Sequence, residues 1–322
     1  MLYQFDLKKA VTVLRQGGLV AFPTETVYGL GADASNPAAL QKIFAAKQRP
    51  QDHPLIVHVS SVEELENWAV EIHADAMLLA AAFWPGPLTL ILKKNPRVSN
   101  LLTGNQPTIA VRIPNHPIAQ SLLRAFANGI AAPSANRFGR ISPTTAAAVA
   151  EELGKNVDII LEGGQCEVGL ESSIVDVSGQ LPTLLRPGMI TSTDIEAVLR
   201  KKISALQATS PRVSGSHVSH YAPRTPTRLV KFEAISQALA ALSPDDFPIA
   251  VLTREYLGRA LTGVEFINMP VEAHQYAHDL YATLRACDQN NFRRIIIETV
   301  PEQDKWDAIR DRLERATALN IR

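Results

Sequence analysis

The stretch Lys47-Gln48-Arg49-Pro50-Gln51-Asp52-His53-Pro54 sets two cations one residue apart on a loop stiffened by two prolines, and a buried-looking apolar run follows at once. A fixed lysine and a forked guanidinium held this close suit a polyphosphate. The same charges, with Lys42 before them, also suit the C-terminal end of a helix, whose dipole favours cations. Pro133-Ser134-Ala135-Asn136 follows a run of small apolar residues and offers a hydroxyl and an amide at a strand end. Ligand sites concentrate at such ends in α/β sheets, although the four residues taken alone make only a turn.

Other candidate chemistries fail on context. Gly29-Leu30-Gly31-Ala32-Asp33-Ala34 has the spacing of a dinucleotide fingerprint. That fingerprint needs its glycines at a strand end opening a helix, whereas Pro23-Thr24-Glu25-Thr26 intervenes before them and the next helix starts near Pro37. No G-x-x-x-x-G-K-[ST] phosphate loop and no G-x-S-x-G nucleophile elbow occurs. His274 and His278 stand four apart on a predicted helix, a metal-binding spacing, but without the Glu of a zinc helix and with Tyr276 and Tyr281 interleaved they read as an ordinary helix face. No metal ligand is assigned. Cys166 and Cys287, far apart and outside any C-x-x-C, exclude a disulfide scaffold and a cysteine-rich zinc site and fit a reducing compartment.

The elements that must carry these residues follow from periodicity. Short β-branched runs predict strands over 19–22, 55–59, 88–92, 108–113, 130–132, 158–161, 173–177 and 183–185. Helical patterns are predicted over 37–47 after the cap Asn36, and over 62–69, 74–83, 117–127, 144–153 and 194–201, the last opened by a Thr193/Glu196 capping box. Their irregular mixing predicts a mixed twisted sheet flanked by helices. Periodicity fails from about 203 to 226, where Ser, Pro and small residues give a linker composition. Beyond it, strands over 228–232, 249–252, 264–269 and 294–299 alternate with helices over 234–242, 271–286 and 305–317, the pattern of a smaller, Rossmann-like parallel α/β domain. The expected domains are therefore 1–203, a linker at 204–226, and 227–322.

With 322 residues, the chain is long enough for two cores. Its 32 Lys and Arg balance 32 Asp and Glu, so no overall basic field exists to grip nucleic acid or an anionic membrane. The opening Met-Leu-Tyr-Gln-Phe-Asp lacks the basic and apolar regions of a signal peptide, and no apolar run approaches a membrane span. A cytoplasmic protein that makes no membrane contact is expected.

Eight motifs in order then carry a resemblance. Gly18-Leu-Val-Ala-Phe-Pro-Thr-Glu-Thr-Val-Tyr-Gly-Leu30, Lys47-x-Arg49-Pro, Pro-Leu-Ile-Val-His58, Trp84-Pro-Gly-Pro-Leu-Thr89, Val111-Arg112-Ile-Pro114, Pro133-Ser-Ala-Asn136, Ser172-Ser-Ile-Val-Asp176 and Arg186-Pro-Gly188 together resemble the YrdC-like family of threonylcarbamoyl-AMP synthases. The likeness runs from about residue 8 to 200, and His220-Tyr221-Ala222-Pro223 with the second domain extends it to the family's long form.

The resemblance implies the YrdC-like α/β twist and an enzyme that joins L-threonine, bicarbonate or carbon dioxide, and ATP, with magnesium, into threonylcarbamoyl-AMP and pyrophosphate. A separate tRNA threonylcarbamoyl transferase would consume the product, so tight direct tRNA binding is not expected. Carried over by motif, Lys47, Arg49, Ser134 and Asn136 form the catalytic set. Thr26, His58, Arg112, Ala132 and Ser172 surround threonine. Arg49, His53, Thr108, Ser134, Ser142, Arg186 and Tyr221 serve ATP, with Tyr221 on a linker that closes over the cleft. Pro211-Arg212-Val213-Ser214-Gly215-Ser216-His217 replaces a Pro-Gly-Met-Lys-Tyr-Arg version of that linker. The competing readings are the carbamoyl-adenylate module of a maturation transferase, and a noncatalytic RNA-binding protein.

Overall fold

The computed structural model describes residues 7–204, 206–207, 210–215, 220–255 and 261–318. The chain divides into two compact units, Met1–Phe138 with Ser142–Ser216, and Gly139–Ile141 with His217–Arg322. Of the linker expected over 204–226, the described residues up to 215 belong to the first unit and those from 220 to the second; residues 205, 208–209 and 216–219 lie outside the described residues.

The first unit runs α1 (Leu7–Arg15), β1 (Val20–Phe22), β2 (Gly29–Asp33), α2 (Pro37–Lys47), β3 (Ile56–His58), α3 (Leu65–Trp68), β4 (Ala69–Val70), α4 (Ala74–Phe83), β5 (Leu88–Lys94), α5 (Asn100–Thr103), β6 (Thr108–Arg112), α6 (Pro117–Phe126), β7 (Ile130–Ala131), α7 (Ala146–Leu153), β8 (Ile159–Ile160), β9 (Ser173–Asp176), β10 (Thr183–Arg186) and α8 (Ser192–Leu199). Its strands form one mixed sheet in the order β10-β9-β5-β6-β3-β7-β2-β1-β8, with β4 paired to β5. The predicted mixed sheet flanked by helices is the observed one.

Register assembles the site. β3 and β6 are parallel, with His58 opposite Arg112, so both strands end at one sheet edge. β5 runs antiparallel to β6 and parallel to β9, so Thr89 and Ser173 stand at the same edge, with Ser172 just before β9. β10 is antiparallel to β9 and ends there at Arg186. Five separate stretches of sequence thereby deliver polar side chains to one place. The strands themselves are buried and apolar, a pattern that covering helices on a central sheet require.

Several predicted elements shift. Gly29–Asp33 is strand β2, lying between β1 and β7; its glycines serve strand packing, since a Cβ at Gly31 would meet Phe22 and Ile130 at 2.8 Å. The capping box sits two residues earlier than predicted, with Thr191 Oγ1 accepting from the Asp194 amide and Asp194 Oδ2 from the Thr191 amide. The helix expected over 62–69 is a short 3-10 turn followed by α3, and the chain then turns into β4. Helix α1 and strand β2 were not predicted.

The second unit contains β11 (Thr227–Val230), α9 (Ile235–Ala240), β12 (Ile249–Thr253), β13 (Val264–Asn268), α10 (Ala273–Gln289), β14 (Arg294–Glu298) and α11 (Asp307–Thr317). All pairings in its sheet, ordered β11-β14-β12-β13, are parallel. Val230, Ile235, Leu239, Ile249, Val251 and Ile296 build a core within it. On α10, His274 is exposed and His278 half-buried while Tyr276 and Tyr281 are buried. Among the described residues no three His, Cys, Asp or Glu side chains gather as a metal site, and no helix is long and apolar enough to cross a membrane. Cys166 and Cys287 are buried free thiols.

Candidate active site

At the end of α2 the helix stops because Gln48 adopts the left-handed conformation, φ 53°. The reversal leaves Lys47 and Arg49 serving one region. Lys47 is 1% exposed, and its ammonium donates to the carbonyls of Ser134 at 2.5 Å and Asn136 at 2.6 Å. Burial, reinforced by Arg49, holds its pKa well below the ordinary lysine value, against the pull of Glu152 and Glu171. Lys47 therefore pins the turn that carries Ser134 and Asn136, and the Phe138 amide returns a bond to the Lys47 carbonyl at 2.8 Å.

Arg49 donates through Nη2 to the Pro54 carbonyl at 3.0 Å and to Ser214 Oγ at 3.1 Å. Its guanidinium lies over the Phe138 ring, which also meets the edge of His53. Arg186 donates through Nε and Nη2 to the Ser172 carbonyl, and through Nη1 to the Ser214 carbonyl at 2.8 Å. Ser214 thus touches both arginines. It is held there by Val213, packed with Ile56, Ile91, Ala110, Ile174 and Leu185, and by Gln106, whose side chain bonds both the amide and the carbonyl of Arg212. Thr108 lines the slot beside Ile56, Val213 and Ser214.

A second cluster surrounds Arg112. Its Nε donates to the Gly86 carbonyl at 3.2 Å, Nη1 to Thr26 Oγ1 at 2.8 Å, and Nη2 lies 2.7 Å from Glu25 Oε1. His58, opposite Arg112 in the sheet register, is buried; desolvation, helped by Arg112, pushes its pKa down to about 3, so the ring is neutral. Ser172 Oγ shares a 2.7 Å hydrogen bond with Thr89 and accepts from Arg186. Ser142 donates to Glu171 at 2.6 Å. The Ala132 amide donates to the Ile56 carbonyl and is spent on the sheet.

Of the residues expected from the sequence, one neighbourhood thus joins Lys47, Arg49, His53, Ser134 and Asn136, and another joins Thr26, His58, Arg112 and Ser172, with Arg186 reaching Ser172. Tyr221 belongs to the second unit, where it is buried, stacks on Tyr281 and lies under the Arg312 guanidinium. Sequence reasoning missed Glu25, Phe138 and Ser214. A charge between two hydroxyls directly after a buried strand could have flagged Glu25; Ser214 was hidden by the linker-like composition around it.

The family model described as telomere recombination, that of Sua5, YciO and YrdC, matches residues 12–188. The chain belongs to this family. A second model, the threonylcarbamoyl-AMP synthase C-terminal domain, matches residues 190–318. Within the Sua5/YciO/YrdC family, the threonylcarbamoyl-AMP synthase of Pyrococcus abyssi is 36% identical over 329 residues, covering 99% of this chain and 96% of that protein. The synthase of Bacillus subtilis is 38% identical over 325 residues, covering 98% and 94%. The crystal structure of P. abyssi Sua5 complexed with L-threonine superposes with a TM-score of 0.89 at 36% identity, over 98% of this chain and 94% of that one.

Proposed function

We propose that this chain is a nucleotidyltransferase that condenses L-threonine, bicarbonate or carbon dioxide, and ATP into threonylcarbamoyl-AMP and pyrophosphate, for use by a separate tRNA-modifying transferase. The observation that carries the reading is the gathering of Arg112, His58, Thr26 and Ser172 at the sheet edge where Arg186 also ends, beside the Lys47 and Arg49 loop. This supports a site for an amino acid next to a site for a polyphosphate.

In this reading threonine enters as the zwitterion, its ammonium loses a proton to solvent, and the free amine adds to carbon dioxide with loss of a second proton to give a carbamate, whose carboxylate attacks the α-phosphorus while pyrophosphate leaves. A carboxylate is already nucleophilic, so the chain need supply no covalent intermediate. Its work is orientation and charge stabilisation. Arg49 and Arg186 exchange neutral carbonyl and hydroxyl partners for phosphate oxygens; Lys47 fixes the Ser134 and Asn136 turn against them. Arg112 forks onto the threonine carboxylate. Neutral His58 can accept or donate one hydrogen bond without adding charge. Magnesium beside a nucleotide is held chiefly by phosphates and water, with at most one or two carboxylates, so in this reading it would arrive with ATP.

Pyrophosphate release from ATP, measured with threonine and bicarbonate omitted in turn, tests the proposal. Dependence on both is expected. Release indifferent to threonine would favour the maturation-transferase module, and no release at all would favour a binding protein.

A further inference from the structure

The Arg112 cluster contains buried hydrogen-bonding capacity that the described residues do not use. Glu25 and Arg112 are each 4% exposed. Although Glu25 Oε1 and Arg112 Nη2 stand 2.7 Å apart, among the described residues neither oxygen of Glu25, nor Nη2, nor His58 Nδ1 completes a well-directed hydrogen bond. Buried polar atoms are nearly always satisfied, and a cluster of exceptions calls for a missing partner. The partner must offer acceptors to Arg112 and donors to Glu25. A simple anion would repel Glu25, and a simple cation would repel Arg112.

We propose that Glu25 is a substrate-binding residue, the carboxylate that receives the α-ammonium of an amino-acid zwitterion whose own carboxylate lies on Arg112. The inference rests on the threonine reading and deepens it. Glu25 and Arg112 form a pair without net charge, matched by a ligand without net charge. Ammonium and carboxylate of an α-amino acid sit on one carbon, so adjacent complementary charges in the site are what recognition of that group requires. The Thr24 and Thr26 hydroxyls, 2.8 Å apart on either side of Glu25 in sequence, brace this loop, and Thr26 holds the Arg112 fork. The Glu25–Arg112 pair engages one carboxylate oxygen, Oε1, which leaves Oε2 open to a second donor.

The test removes the charge from each side in turn, using calorimetric titration of the full chain with L-threonine and with (R)-3-hydroxybutanoate, the same skeleton without its amine. Wild-type protein should prefer threonine by about 10- to 100-fold, the size of a charge-assisted hydrogen bond. Glu25→Gln should abolish most of that preference by weakening threonine alone, and Glu25→Asp should retain much of it. Wild type that binds both ligands equally overturns the proposal while leaving the threonine reading intact, and this arm needs no variant to fold. A Glu25→Gln protein that weakens both ligands alike overturns it too, because Glu25 would then act only through Arg112. Wild type that binds no threonine overturns the reading and the proposal together.

Discussion

Two neighbouring regions of the first unit use arginine differently. Around the α2 loop, Lys47, Arg49 and Arg186 direct N–H groups at backbone carbonyls. At the end of β6, Arg112 faces a buried carboxylate. A carbonyl satisfies hydrogen bonding without cancelling charge, so in the proposed reading Arg49 and Arg186 stay available to phosphates, while Lys47 feels Glu152 and Glu171 and serves the turn. The second region is neutral as a pair and suits a zwitterion. Residue type alone does not separate these roles; the partner does.

Breaking the neutral pair should have the largest effect. Arg112→Ala leaves Glu25 buried without its counter-ion, a loss of about 3–5 kcal/mol in stability, readable as a lower urea midpoint. Its threonine requirement should rise far more than its ATP requirement; equal rises would erase the distinction between the regions.

Next comes acid. His58 is held neutral with a pKa near 3 against an ordinary 6.5. The unfolded chain therefore takes up a proton first as pH falls, and stability present above 6.5 declines steadily toward pH 3. His58→Gln should lose less stability than wild type between pH 6.5 and 4 in denaturant titrations, by a few kcal/mol at the low end on the order-of-magnitude scale of that shift. Parallel curves would mean that His58 is not held neutral.

Removing Arg49 tests the other region. Arg49→Ala should raise the KM for ATP by about 10- to 100-fold, the range for one charge-assisted contact, with threonine binding in the absence of ATP little changed. Ser214→Ala should have the smallest effect, about fivefold in the ATP KM, because it removes the hydroxyl that holds Arg49 while the Ser214 carbonyl still accepts from Arg186 and neither charge is lost. Ser214→Thr should restore much of that loss, whereas a threonine defect in either alanine variant would contradict the division.

The sheet-building runs were legible because β-branched stretches announce buried strands, and one helix start followed from its cap, Asn36. The sequence hid β2, since two glycines in five residues weaken a strand pattern, and only the pairing with β1 and β7 explains them. The capping box was misplaced because Thr191 and Thr193 offer equivalent local signals. Lys47 and Arg49 were readable as charged residues before an apolar run, whereas Arg112 was marked only by the family resemblance. Ser214 was not readable, because its meaning lies in contacts with Arg49 and Arg186 far away in the chain, and Glu25 carried only the weak local signal of a charge between two hydroxyls. Gln106 reaching Arg212 across 106 positions is the same kind of information.

The most direct test of the central claim follows labelled carbon from bicarbonate. With purified protein, threonine and ATP, the account predicts that 14C from bicarbonate enters an adenylate that also contains threonine, with one pyrophosphate released for each label incorporated. Label in an adenylate formed without threonine, or ATP consumed with no label incorporated, would contradict it.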